Sequence, residues 1–571
     1  MKYTHHNHEL NKNHIGIEVY LKGWVAKTRN LGGLLFIDLR DRFGMTQLVV
    51  KPENKNYETA LKIRNEFVIE AKGIVIEREN KNLNMPTGEI EVDVFDLVIL
   101  NTSDNPPLII ANDTDALEDT RLKYRYLDLR RPVMQNFLIK RHEIVQSIRQ
   151  TLVDEGFYEL ETPILGKSTP EGARDYLVPS RLYPGSFYAL PQSPQIYKQL
   201  FMIAGFEKYF QVARCFRDED LRSDRQPEFT QIDIESSFVE EEDVREIIEK
   251  IMVNTFKKVL NEEVKAPFEI MTYHKAMELY GTDKPDLRYE MLLKDYTEFF
   301  KGIDIPLFND EPMVKGLILE HGESISRKKV DQLTEHVKKN HGKALAFVKY
   351  SKGSYTGSII KYLNEEQLQS LNLGEDHVLF LVPGSFDDVS SSLGALRIEL
   401  ANQFNLIPKD VYKFIWINEW PLLEYDEEEK RFYAKHHPFT APVNALVLKN
   451  NPHQAMAKAY DIVLNGYEIG GGSIRIHNQD VQRLMFDTLG LTKEDVQHRF
   501  GFFVDALKYG TPPHGGLALG LDRIVMLMTN TTNIKDVIAF PKTQSAKDMM
   551  MQSPSDVDQK QLDELELKVG K

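Results

Sequence analysis

Cysteine is almost absent from this 571-residue sequence, with Cys215 standing alone. One thiol closes no intramolecular disulfide and makes no zinc site, so neither device can hold the fold. Cys215 is expected to be a buried, unreactive strand residue. Long apolar runs are missing as well. No stretch has the length that crosses a bilayer, and the opening MKYTHHNHEL lacks a signal peptide's apolar core, which predicts a cytoplasmic protein with no membrane partner. Nor is there an excess of positive charge. With 71 Lys and Arg against 86 Asp and Glu, the formal net charge is −15. That argues against indiscriminate polyanion binding over the whole surface, while local basic patches still allow an RNA partner. His5, His6 and His8 are read as a solvated, frayed terminus rather than a metal cluster.

What remains is an ordinary globular composition, 42% hydrophobic and 27% charged, on a chain too long for one core. Three or four domains are expected. Strand-like stretches at 18–25, 34–38, 47–50, 67–76 and 89–100, with a helix at 57–65, suggest a five-stranded OB-type barrel, a platform for unpaired nucleic acid. Its candidate reading face is Arg29, Phe36, Gln47, Arg78, Asn82, Asn84 and Glu91, one aromatic among hydrogen-bonding groups. A proline-stiffened linker follows, then TRLKYRYLDLRRP. There Arg121, Lys123, Arg125, Arg130 and Arg131 either touch an RNA backbone or pair with neighbouring acids. Pro132 then opens a long helix with Leu138, Val145, Ile148 and Leu152 at helical spacing and Gly156 as its cap. A strand ending near Pro163 comes next.

Residues 216–233, FRDEDLRSDRQPEFTQID, carry dense charge of both signs between two apolar runs. A hairpin between strands at 209–213 and 229–234 would project this loop into a cleft, where it could grip a polyanion. Upstream, Glu171 lies in a loop-like segment, while Ser193, Gln195 and Lys198 fall at or just before a helix start at Pro194. A cation there is disfavoured by the helix dipole, so Lys198 is expected to have an anionic partner. Downstream, Asp461 and Glu468 flank an Asn465-Gly466 turn and can face one another from adjacent strands. Two such carboxylates with open positions suit Mg²⁺ carried in by a nucleotide. GGLALGLDRIVMLM places Arg523 in the first turn of a helix after a glycine-rich strand. Between them, residues 288–410 form a self-contained mixed segment without a catalytic constellation. Strands are expected at 314–320, 345–350 and 378–382, with helices near 330–337 and 389–404. The charged end turns helical at 559–567.

Three ordered patterns carry a resemblance. The helix-strand-proline run, the FRDE loop followed by F-x-x-x-D, and GGLALGLDR resemble the three signature motifs of class II aminoacyl-tRNA synthetases. GWVAKTRNLGGLLFIDLRDRFGMTQLVV is similar to the anticodon-binding domain of bacterial aspartyl-tRNA synthetases, and QSPQ with Lys198 to their amino-acid pocket. The resemblance implies a multidomain α+β protein with an OB barrel over 1–104 and a hinge over 105–132. An antiparallel-sheet catalytic domain would lie in two parts, 133–287 and 411–550, around an inserted α+β domain at 288–410, with a tail at 551–571. It implies a homodimer through the first motif. The implied reaction joins L-aspartate to ATP, releases pyrophosphate, and passes the aspartyl group to the terminal adenosine of tRNA(Asp). A non-discriminating form would also serve tRNA(Asn).

The implied roles follow the motifs. Arg217 would meet the α-phosphate, Glu219 the adenine amino group, and Phe229 and Arg523 would clamp the base. Asp218, Gln226, Glu468, Gly520, Leu521 and Asp522 would complete the ATP site, and Asp461 with Glu468 would hold Mg²⁺. Lys198 and Arg475 would flank the aspartate side chain, leaving asparagine with uncompensated charge. Asp233 and Glu171 would attract the ammonium, Gln195 would orient the backbone carboxylate, Ser193 would line the pocket, and His436 would close it. Phe36 and Gln47 would contact the central anticodon base. A catalytically silent RNA-binding paralogue would need losses at Arg217, Glu468, Arg475 or Arg523, and all four residues are present. A ligase such as aspartate–ammonia ligase would lack the barrel.

Overall fold

Alternation of apolar and polar residues over the first hundred positions closes a barrel. In the computed structural model, which describes residues 3–169, 173–219, 224–322 and 324–570, five strands form it. They are β1 (Glu18–Leu31), β2 (Leu34–Arg40), β3 (Met45–Val50), β4 (Val68–Glu77) and β5 (Ile90–Asn101), in the closed order β1-β2-β3-β5-β4. Val19, Leu21, Ile37, Leu48, Ile69 and Val92 point inward and are buried. All five expected strands are present, the first running longer than expected, while the expected helix shrinks to one turn at Tyr57–Ala60. The amino terminus is fastened rather than frayed. Leu10 enters the barrel core, the Asn7 N–H donates to Asp41 Oδ2 at 2.8 Å, and the His6 ring packs 3.8 Å from that of Phe43.

Two compact units divide the chain, residues 3–139 with 538–555 and residues 140–537 with 556–570. In the first, the basic stretch is paired. Arg121 Nε, Arg125 Nη1 and Arg131 Nη1 converge on the fully buried Asp128 at 3.0, 2.7 and 2.7 Å. Burial alone would raise that carboxyl, but Arg121 and Arg131 hold it below its ordinary value. Arg130 meets Glu66 at 2.9 Å. Of the two readings of these arginines, paired charge is the observed one.

Helix α1 (Pro132–Asp154) forms as expected, but its buried stripe is Ile144, Ile148 and Leu152, with Leu138 and Val145 only half-buried. The strand after it, β6 (Tyr158–Glu159), is only two residues long. Helix α2 (Gln195–Ile203) then precedes the hairpin of β7 (Lys208–Phe216) and β8 (Glu228–Ser237), paired from Phe216↔Glu228 inward. Strand β9 (Glu269–Thr272) leads out to a second sheet made of β10 (Lys294–Asp295), β11 (Met313–Leu319), β12 (Ala346–Ser351), β13 (Ser354–Gly357) and β14 (His377–Gly384). Its order is β10-β11-β14-β12-β13, and α3 (Arg327–Lys339) and α4 (Phe386–Gln403) pack on it around a core of its own. The chain returns through β15 (Phe414–Asn418), β16 (Ala459–Leu464), β17 (Tyr467–Ile474), β18 (His514–Gly520) and α5 (Leu521–Met528).

The larger sheet runs β9-β15-β16-β17-β18-β8-β7-β6. Its pairs are antiparallel except at the two ends, β9 with β15 and β6 with β7. Its middle strands come from distant parts of the sequence, which is how residues near 233, 461 and 518 become neighbours. Among the described residues no helix is long and apolar enough to cross a membrane.

Candidate functional site

On β8 successive side chains alternate faces, so Ile232 and Ile234 enter the core while Asp233 and Glu235 share the opposite side. Lys198, in the first turns of α2, places Nζ 3.0 Å from Asp233 Oδ1 and 3.5 Å from Glu235 Oε2. The anionic partner expected for this lysine is therefore a pair of carboxylates. Arg475, just past β17, grips Glu235 with Nε at 2.9 Å and Nη2 at 3.1 Å. Its Nη1 lies 2.7 Å from both Ser473 Oγ and His437 Nε2. All four charged groups are at most 1% exposed. Burial raises the Asp233 carboxyl even beside Lys198, whereas Arg475 and Lys198 outweigh burial at Glu235 and hold it low.

This quartet corrects one expectation. Lys198 and Arg475 are not two bare cations facing the cavity, because Asp233 and Glu235 balance them before any substrate arrives. Asp233 keeps one oxygen, Oδ2, buried and without a hydrogen-bond partner, and Gln195 Nε2 is likewise unmatched. Ser193 Oγ accepts from the Gln195 N–H at 3.3 Å. Ser193, Gln195, Lys198, Arg217, Asp233, His436 and Arg475 all line one cavity of about 520 Å³. Glu171 lies outside the described residues.

A narrower cleft adjoins it, lined by Arg217, Glu219, Gln226, Phe229, Glu468, Gly520, Asp522 and Arg523. Arg217, Glu219 and Glu468 border both spaces and so join them. The Arg217 guanidinium lies 5.0 Å from the centre of the Phe229 ring, and its Nε is buried without a partner. Arg217 thus covers one face of this ring. Arg523 instead meets Asp224 Oδ2 at 3.1 Å and the Glu468 carbonyl. Glu219 pairs with Arg225 at 3.1 Å. Asp522, though on the wall, is occupied in holding the fold, since it pairs with Arg141 and accepts the Thr230 N–H at 2.9 Å. Leu521 turns its side chain into the core, and Asp218 bonds through its backbone to the Arg174 carbonyl at 3.0 Å. Neither lines the cleft.

The two acidic residues on β16 and β17 do face one another. Asn465 and Gly466 turn the chain with φ of 54° and 84°. A Cβ on Gly471, opposite Asp461, would lie 2.6 Å from Asp461 Oδ1 and 3.6 Å from Glu468 Oε1. Both carboxylates therefore reach over the space this glycine leaves open. Burial, then Glu468 and Asp283, push the Asp461 carboxyl well above its ordinary value, and its Oδ1 accepts no hydrogen bond. His436 Nε2 stands 4.0 Å from that atom. Burial, then Lys435 and Arg475, lower His436 to about 4, and similar causes hold His437 well below its usual value. Both rings are neutral at pH 7.

In the barrel, Arg29 reaches Asp38 at 2.9 Å and Gln47 at 3.0 Å, and Gln47 donates to Glu91 at 2.7 Å. Gln47 and Glu91 are buried, not exposed as expected, because their amide and carboxylate satisfy each other. Phe36 is half-buried opposite Arg29. Arg29, Arg78, Asn82 and Asn84 border a cleft of about 680 Å³.

The family described as "tRNA synthetases class II (D, K and N)" matches residues 117–544, and "OB-fold nucleic acid binding domain" matches residues 19–100. An aspartate–tRNA ligase of Aster yellows witches'-broom phytoplasma is 51% identical over 573 residues, covering 100% of this chain and 99% of that protein. The chain belongs to the class II tRNA synthetases, in the aspartate–tRNA ligase family. Another relative, named aspartate–tRNA(Asp/Asn) ligase, from Bacillus cytotoxicus, is 52% identical over 571 residues and covers 97% of each chain. Among solved structures, asparaginyl-tRNA synthetase from Pyrococcus horikoshii with asparaginyl-adenylate shares the fold. The match has a TM-score of 0.61 at 19% identity and covers 95% of this chain and 98% of that one.

Several residues of this synthetase's site were not singled out from sequence. Glu235 had a usable signal, since it stands two residues from Asp233 on a strand and must share its face. His437 sits next to His436 but was given no role of its own. Asp38 was hidden among barrel charges. Asp283, which also lines the larger cavity, lies in a turn far from every signature motif.

Proposed function

We propose that this synthetase activates L-aspartate with ATP and transfers it to the terminal adenosine of tRNA(Asp). The observation that carries the reading is the buried quartet, with its open Asp233 oxygen in the same cavity as Arg217. Asp233 Oδ2 would accept from the substrate ammonium, while Lys198 and Arg475 would hold the side-chain carboxylate in a fixed set of donors. An α-carboxylate oxygen of aspartate then attacks the α-phosphorus of ATP, and pyrophosphate leaves. Arg217, with its unmatched Nε, would offset charge growing on the α-phosphate oxygens. In the second step the ribose hydroxyl attacks the aspartyl carbonyl and AMP leaves. Positioning and electrostatics suffice for this chemistry, and no Ser-His-Asp arrangement is needed.

Asp461 and Glu468 fit Mg²⁺. Glu468 is close enough to help raise the Asp461 carboxyl, one buried Asp461 oxygen is unmatched, and a hard divalent cation takes such oxygens together with phosphate and water. Bound there, the ion would neutralise charge on the nucleotide phosphates. The barrel residues Arg29, Phe36, Arg78, Asn82 and Asn84 would read the anticodon, with the buried Gln47 and Glu91 holding Arg29 from behind. A homodimer in the cytoplasm completes the proposal, with residues 288–410 as an inserted domain. Aspartate-dependent ATP–pyrophosphate exchange tests it, and no exchange by purified protein supplied with Mg²⁺ would sink it. A second reading, that tRNA(Asn) is also charged, is favoured by relatives named for both tRNAs. Charging the two purified tRNAs side by side decides between them.

A further inference from the structure

The inserted layer reaches the carboxylate pair through one buried arginine. Arg397, on α4, is 1% exposed, yet among the described residues no carboxylate receives its guanidinium. Instead Nε donates to the Met291 carbonyl at 2.9 Å, Nη2 to those of Asp286 and Tyr289 at 2.9 Å each, and Nη1 to the Tyr289 hydroxyl at 3.0 Å. The guanidinium also lies 3.9 Å from the centre of the Tyr289 ring. Burial lowers its pKa. Burying a cation on carbonyl oxygens is costly, and its return is geometric, since a planar fork fixes three backbone positions at once. One face of α4 grips the same segment again, because a Cβ on Gly281 would lie 2.7 Å from the Gly394 nitrogen.

The segment so held packs on the turn that joins β16 to β17. A Cβ on Gly466 would lie 3.1 Å from that of Asp286. Asp286 is itself locked by Arg288, whose Nε and Nη2 donate at 2.9 and 2.6 Å. On its other side the turn is tied to the chain returning from the inserted layer. Lys413 N donates to Asn465 Oδ1 at 2.9 Å, and Asn465 Nδ2 donates to the Val411 carbonyl at 2.8 Å. Both chain crossings between the layers therefore clamp the turn that sets Asp461 against Glu468.

We propose that Arg397 is a positioning residue for Asp461 and Glu468, acting through Asp286 and the Asn465-Gly466 turn. The inserted layer thereby braces the carboxylate pair. The inference rests on the reading of that pair as the Mg²⁺ site. Its test uses the full-length chain with Arg397→Lys, which keeps the charge and loses the fork, and with Gly466→Ala, which strains the turn without touching Arg397. Hydrogen exchange at amides 464–469 is expected to speed up in both variants. The Mg²⁺ concentration for half-maximal pyrophosphate exchange should rise about tenfold, as for loss of a supporting group behind a metal ligand. The aspartate KM should move by less than about twofold, because the quartet is held separately. Unchanged amide exchange at the turn would overturn the proposal, as would equal rises in the Mg²⁺ requirement and the aspartate KM. Glu468→Gln separates the two readings. If it leaves the Mg²⁺ dependence untouched, the metal assignment fails and amide exchange alone decides the bracing.

Discussion

Replacing Glu235 with glutamine tests the charge balance of the pocket. The wild-type carboxylate accepts two N–H groups from Arg475, at 2.9 and 3.1 Å, and stands 3.5 Å from Lys198, all without solvent. An amide offers one acceptor oxygen and turns an NH₂ toward one of these cations, leaving the quartet with a net positive charge. Removing one partner of a buried ion pair costs about 3–5 kcal/mol. At about 2 cal/mol/K per residue over about 400 residues, the unfolding entropy is about 0.8 kcal/mol/K, so the catalytic unit should melt about 4–6 °C lower. Scanning calorimetry measures this directly. The same charge argument gives a second readout. Aspartate brings a carboxylate to a neutral quartet in the wild type but to a positive one in Glu235→Gln, so saturating aspartate should recover more melting temperature in the variant, and asparagine should not. A shift below about 1 °C, or equal stabilisation of both proteins by aspartate, would refute the reasoning.

Arg217→Ala should reduce pyrophosphate exchange by about 10²–10³ with the circular dichroism spectrum intact, as for loss of a transition-state donor; near-normal turnover refutes its role. Phe36→Ala should weaken tRNA charging and spare exchange, and an equal fall in both would remove the division of labour between barrel and catalytic sheet. Gly471→Ala puts a methyl group where Asp461 and Glu468 meet. Exchange should fall at least about tenfold with little loss of stability, and activity that survives at ordinary Mg²⁺ counts against the site. His436 titrates at about 4 in the fold and near 6.5 when unfolded. Between those values the unfolded chain holds the extra proton, so stability rises with pH across that window. His436→Asn should flatten the slope of urea midpoints over that window, and an unchanged slope refutes the assignment.

Where local pattern dictates structure, the sequence was readable. The barrel strands alternate cleanly, Pro132 and Gly156 bracket α1, and Asn465-Gly466 could only be a tight turn. The hairpin at 216–233 was legible because two apolar runs flank a loop too charged to bury. Partner choice was harder to read. The basic stretch near Arg125 left two readings open because Asp128 must be seen at the centre of three arginines before it explains them. Arg475 was assigned to substrate alone, since its partner Glu235 is 240 residues away in sequence. Register across β8, β18 and β17 brings such residues together, and register is a property of the whole sheet. The terminal histidines looked solvated because nothing local shows that Phe43 waits beneath them.

The lone thiol has a further use. Cys215 is buried on β7, directly across the ladder from Phe229, and no other sulfhydryl competes with it. An alkylating reagent reaches it when this strand pair opens, so the modification rate of the unaltered protein is a clock for that opening. Ligands that close the cleft should slow that clock, and every engineered surface cysteine can be labelled against a silent background.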